Sequence, residues 1–147
     1  VTQVLLKRYP DGLPAEGDFE VVGSDRPGIG PGQMLLRIEW ISIDPAMRTW
    51  SARTPGRGDP LPLGSVMRAY GVARVEESDV PDYPVGTWVT GPFGLQSWHV
   101  TDGRDIRFRV PEGVPPQTGL GVLGHIGLTA YAGIFRVADV RPGETVL

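Results

Sequence analysis

The chain has 147 residues, a formal net charge of −3 and no cysteine, and glycine and proline together make 36 of its residues (21 and 15) although 40% are hydrophobic. That length is one domain's worth, able to bury roughly 70% of the unfolded surface, and the composition describes a loop-rich globular fold. The mild acidity and the lack of a basic-aromatic window exclude a nucleic-acid partner, and the missing cysteines exclude disulfides, thiolate catalysis and cysteine-held zinc or iron-sulfur centres.

The apolar stretches break well short of the ~20 residues of a membrane span, and no signal-peptide pattern opens the chain, so a cytoplasmic protein without a membrane partner is expected. In chain order, "EVVGS" at 20–24 is the first strand signal. "GIGPG" at 28–32 reads as a turn, because Pro31 and the strand after it argue against a helix start. "QMLLRIEWISID" is the clearest strand, with Met34, Leu36, Ile38 and Trp40 on one face and Arg37 and Glu39 on the other. The stretch from Pro45 to Gly64 has no sustained period and reads as a long loop with a helical turn near Ala46 to Trp50, either functional or a mobile insertion.

Further short strands follow in "GVARVEES", "GTWVTG", "LQSWHVTD" and "IRFRVP", each bounded by proline, glycine or aspartate. Six or so such strands suggest a curled sheet or partly open barrel. Near the end, Leu128, Tyr131, Ile134 and Phe135 recur at helical spacing with Arg136 in the last turn. Gly121, Gly124 and Gly127 stand before or at its start, each costing roughly 1 kcal/mol in a helix interior, and they let another backbone or a flat ligand approach closely. "GETVL" then reads as the opening of one more strand.

Four stretches in fixed order, "ISIDPAMR", "GSVMRAYGVARVEES", "VGTWVTGPFGLQSW" and "LGHIGLTAYAGI", together resemble the N-terminal, GroES-like domain of zinc-independent medium-chain reductases. The nearest subgroup is similar to the leukotriene and prostaglandin reductases and the plant double-bond reductases, which reduce the carbon-carbon double bond of α,β-unsaturated ketones and aldehydes with NADPH. The resemblance implies a mainly β fold with short helices (α+β), a GroES-like partly open β-barrel over residues 1–122. Residues 123–147 would then hold a connecting helix and the first strand of a truncated dinucleotide-binding, Rossmann domain. The main NADP site would lie in that missing half, so this chain alone is expected to be an inactive fragment. A small-molecule substrate is the expected partner, and a homodimer of the full-length enzyme is compatible with the resemblance.

Residue by residue, the resemblance carries over in part. The family's Asp-Pro-Tyr-Met-Arg stands here as Asp44-Pro45-Ala46-Met47-Arg48, with alanine in place of the pocket tyrosine. Asp44, Ala46, Arg48 and Tyr70 are the implied substrate-binding residues, Tyr70 and His125 the implied catalytic ones, and Thr129 with His125 the implied contacts to nicotinamide. His125 and Ile126 stand where the family usually has methionine and proline. Read from the residues alone, Arg48 is a solvated loop arginine or an orienting group, Tyr70 lines a pocket or covers the sheet, and Tyr131 belongs to a core. His125 is a proton donor near neutral pH or a histidine bonded locally at a helix start. With only His99 and His125 to offer nitrogen, no metal site is expected. The rival reading is a non-catalytic GroES-like module that binds an apolar ligand or docks on a partner.

Overall fold

In a computed structural model, residues 1–52 and 59–146 are described. Strands β1 (Thr2–Leu6) and β2 (Phe19–Gly23) form an antiparallel ribbon. The larger sheet holds β3 (Met34–Ile41), β4 (Gly71–Ser78), β5 (Trp88–Gly91), β6 (Trp98–Thr101) and β7 (Phe108–Arg109) in the order β6-β3-β4-β5-β7, every pairing antiparallel. Two isolated bridges, Gln3 to Gln96 and Leu5 to Val66, tie the ribbon to the loops around this sheet. The result is the expected open, curled β architecture with short helices.

Period-two alternation sets the core. Met34, Leu36, Ala73, Val75, Val89 and Phe93 are buried together on the inner face of β3, β4, β5 and the turn after β5. Arg37 and Glu39 face outward as expected and pair at 3.0 Å. The alternation of β3 is not perfect: Leu35 is as fully buried as its neighbours, and Trp40 is 38% exposed. Register irregularities against β4, between Leu35 and Leu36 and between Ile38 and Trp40, account for this, since one extra residue turns the following side chains to the other face. Trp40 leaves the core and packs on Trp88, ring centroids 5.5 Å apart.

The sequence reading assigned no strand to β1. It adds its Leu6 to a second core cluster with Leu61 and Met67, against which Met47, Trp50, Phe19 and Leu95 pack. The long segment after β3 is thereby anchored on both sides. Its helical turn, α1 (Ala46–Trp50), lies where expected, and Leu61 N–H donates to Trp50 O at 2.9 Å as its side chain enters the cluster. Residues 53–58 of that segment lie outside the described residues. "GIGPG" is a turn, with Gly32 at φ +69° and its N–H donated to Asp79 Oδ2 at 2.7 Å.

Helix α2 (His125–Ala132) runs into a π-helical turn, Gly133–Val137. The spacing of its apolar residues points to a buried face, and here the structure departs from expectation: Leu128, Tyr131 and Phe135 are 69%, 59% and 57% exposed. Tyr131 therefore belongs to no core among the described residues; it rests on Phe135, with ring centroids 4.9 Å apart. After a turn at Gly143, residues 144–146 are not paired as a strand, for a strand exists only through its neighbour. Leu147 lies outside the described residues.

Candidate functional site

Tyr70 and His125 come from distant parts of the chain, and their rings meet. The residue before β4 is held by its backbone, as Ser42 N–H donates to Tyr70 O at 2.8 Å. His125 opens α2 behind Gly124, an extended N-cap residue that provides no side-chain cap. The two rings lie with centroids 4.7 Å apart and planes inclined by 34°, a tilted contact within the usual range of aromatic pairs.

Glycines make that meeting possible. A Cβ on Gly127 would fall 1.9 Å from Val122 O, and one on Gly124 would fall 2.5 Å from Gly119 O. The backbone of 119–122 thus lies directly on the first turn of α2, and the dense glycines admit another backbone. Gly119 is itself buried against β4 and β5, where an added Cβ would meet Thr90 Cγ2 at 2.6 Å. This packing fixes the start of α2 to the sheet.

Between α2 and the sheet opens a cavity of about 460 Å³ lined by Tyr70, Thr90, Arg107, Phe108, Gly119, Leu120, Leu123, Gly124, His125 and Leu128. Its volume is in the range of small-molecule sites, and its composition is the usual one of apolar walls with a few polar groups. Three of those groups are free donors among the described residues: the Tyr70 hydroxyl, the His125 ring nitrogens and the Arg107 guanidinium make no side-chain hydrogen bond or ion pair with another described residue. Thr90 and Arg107 were not singled out in the sequence. The only signal for Arg107 was its place in "IRFRVP", which says nothing about which face of the strand looks into a cavity.

The remaining expected site residues lie elsewhere. Thr129 does not line the cavity; its hydroxyl donates to His125 O at 2.7 Å, the usual back-bond of a helical threonine. Asp44 N–H rests against Met47 Sδ at 3.5 Å, and Ala46 is the exposed first residue of α1. Arg48 donates through Nη2 to Gly12 O, while its Nη1 is buried without a partner among the described residues. It lines a second cavity, of about 420 Å³, walled by Val4, Phe19, Met47, Met67 and Leu95, which shares no residue with the first. The structure therefore joins Tyr70 to His125 and leaves Asp44, Ala46 and Arg48 in a separate group.

His99 is occupied structurally. Its Nε2 meets Asp105 Oδ2 at 2.6 Å and its Nδ1 faces Gln96 Nε2 at 3.2 Å. Burial raises the Asp105 carboxyl, yet the hydrogen bonds from His99 and Thr101 outweigh it and hold the group below its ordinary value. Among the described residues no three His, Asp or Glu side chains converge as a metal site would require, and no helix is long and apolar enough to cross a membrane.

The start of α2 offers no free cradle for a pyrophosphate, because the backbone at Val122 and Gly119 occupies the approach that Gly127 and Gly124 open. The cavity beside it, about 460 Å³ with apolar walls and the rings of Tyr70 and His125, has room for the uncharged ring end of a dinucleotide cofactor.

A family model described as the N-terminal domain of oxidoreductase matches residues 2–108. The NADPH-dependent curcumin reductase of Escherichia coli (strain K12) is 36% identical over 143 residues, covering 97% of this chain and 41% of the relative. The NADP(+)-dependent 2-alkenal reductase of Nicotiana tabacum is 32% identical over 149 residues, covering 98% of this chain and 43% of the relative. The crystal structure of CurA in complex with NADPH from Vibrio vulnificus matches with a TM-score of 0.85 at 32% identity, over 98% of this chain and 43% of that one. The chain thus spans about two-fifths of the length of the relatives it matches.

Proposed function

This chain belongs to the family of N-terminal oxidoreductase domains, and we propose that it forms the substrate side of an NADPH-dependent enzyme that reduces the carbon-carbon double bond of α,β-unsaturated ketones or aldehydes. The observation that carries the reading is the paired rings of Tyr70 and His125 on an apolar cavity, with their polar side-chain atoms unengaged by the other described residues. Similarity to a curcumin reductase and a 2-alkenal reductase supports it, since a 2-alkenal carries a double bond conjugated to a carbonyl.

Reduction of such a bond adds hydride at the β-carbon and develops negative charge on the carbonyl oxygen. NADPH, when bound, supplies the hydride. Tyr70 Oη and a ring N–H of His125 are the donors this chain offers to that oxygen, beside the apolar side chains of Leu120, Leu123, Phe108 and Leu128. His125 can then pass a proton toward the α-carbon and recover it from solvent, to which it is exposed. Thr129, bonded to His125 O, fixes the backbone that carries the imidazole. The main cofactor site is proposed to lie in a dinucleotide-binding domain that starts within residues 123–147. The protein is proposed to work in the cytoplasm.

The test is product analysis on the enzyme that carries this domain. With NADPH and 4-phenyl-3-buten-2-one, the saturated ketone is expected, and with NADPH deuterated at C4 the label should appear at the β-carbon. An allylic alcohol as product would instead place the hydride on the carbonyl carbon and refute the assignment.

A further inference from the structure

The cavity that holds Tyr70 and His125 also holds a cation that no acid balances. Arg8, Arg26, Arg37, Arg74 and Arg104 each lie within 4.0 Å of an Asp or Glu oxygen, and Arg109 stacks over Tyr83 at 4.7 Å. Arg48, Arg68, Arg107 and Arg136 have no such partner among the described residues, and of these only Arg107 lines the cavity of Tyr70 and His125, its backbone placed by an N–H donated to Thr90 O at 2.7 Å. No Asp or Glu lines the cavity. A guanidinium beside apolar walls, with its planar fork of donors unused, is a receptor for a carboxylate or phosphate oxygen.

We propose that Arg107 recognises an anionic oxygen of the molecule bound in this cavity, so that the site prefers ligands carrying a carboxylate or a phosphate close to their reactive end. The inference rests on the cavity being the ligand site proposed above. Among the described residues no acid lines the cavity, so no existing ion pair must be broken before the exposed guanidinium meets a ligand oxygen. Two sources can supply such an oxygen, an anionic substrate or the phosphates of the nucleotide, and their chemistry at Arg107 is the same.

The experiment compares wild type, Arg107→Gln, Arg107→Lys and Arg104→Gln in the enzyme that carries this domain. Arg104 is 91% exposed and outside the cavity, and serves as the control for general loss of charge. Dissociation constants are measured by calorimetry for NADPH, for 4-phenyl-3-buten-2-one and for its para-carboxylate, alongside KM for each where turnover occurs. Losing one charge-assisted pair should weaken binding roughly tenfold or more. If the substrate is the source, Arg107→Gln weakens the carboxylate ligand by that factor, spares the neutral ketone and NADPH, and Arg107→Lys restores part of the loss. If the nucleotide is the source, NADPH weakens instead and both ketones are unaffected. Changes under twofold for all three ligands, or equal changes in Arg104→Gln, would overturn the inference, as would failure of all three to bind wild type. Binding that depends on Arg107 without any enone turnover would leave the anion site standing and refute only the proposed reaction.

Discussion

Replacing Gly127 with alanine is expected to destabilise the protein even though it puts a better helix former into α2. The added Cβ would lie 1.9 Å from Val122 O, 2.5 Å from the Val122 carbonyl carbon and 2.8 Å from its Cα. All three are backbone atoms, so no side-chain rotation relieves the contact, and the 119–122 backbone must retreat until the separation reaches the 3.4 Å of ordinary contact. Forced repacking of this kind costs about 1–3 kcal/mol. The gain in helix propensity is at most about 1 kcal/mol, which leaves a net loss of up to about 2 kcal/mol even when that gain is realised in full. Gly133 is the matched control, since it is helical at φ −59° and ψ −48° and a Cβ there meets nothing within 4 Å. Alanine at that position should stabilise by about 0.5–1 kcal/mol. Urea unfolding followed by circular dichroism measures both. Gly127→Ala as stable as wild type, or the two substitutions shifting the midpoint in the same direction, would show that the 119–122 backbone does not rest on α2.

Acid should act through Asp18, which is 3% exposed. The backbone N–H of Ala15 and the side chain of Arg8 hold its carboxyl below the ordinary value. A carboxyl depressed in the folded state contributes stability above its unfolded pKa, near 4, and loses it as pH falls through the lower folded value. Asp18→Asn should therefore be less stable at neutral pH and show a shallower loss of unfolding midpoint as pH falls below about 4; parallel curves for the two proteins would contradict this. Ala46→Tyr, at an exposed helix start, should change stability by under about 0.5 kcal/mol, and a larger loss in thermal unfolding would mean that α1 is seated differently. Elemental analysis of protein purified without a histidine tag should find zinc well below one per chain, and one dialysis-resistant zinc would contradict that expectation.

The strands that alternation and turn residues announce, from Met34 to Ile41 and from Gly71 to Ser78 above all, are where the sequence puts them, because pattern and punctuation are local. β1 escaped notice because it is held by distant partners: the β2 ladder and the bridges to Gln96 and Val66. The apolar stripe of α2 was legible, whereas its exposure was not, since burial depends on what packs against a helix. The glycines at 121, 124 and 127 announced a close approach without naming what approaches. For the site, Tyr70 and His125 entered as separate candidates through motifs that a family resemblance supplied, and no spacing rule joins them. Arg107 carries no motif and shows itself only through what it fails to pair with. Arg48 was expected beside them and instead turns toward Gly12 and the second cluster.

The central claim is that Tyr70 and His125 act together on one substrate oxygen. Its most direct test is a double-substitution cycle in kcat/KM for 4-phenyl-3-buten-2-one, using wild type, Tyr70→Phe, His125→Gln and the pair, in the enzyme that carries this domain. Each single substitution is expected to lower kcat/KM by roughly tenfold to a hundredfold, mainly in kcat, and the pair to lose less than the product of the two, as groups serving one charge do. Four proteins with kcat/KM equal within twofold would contradict the claim.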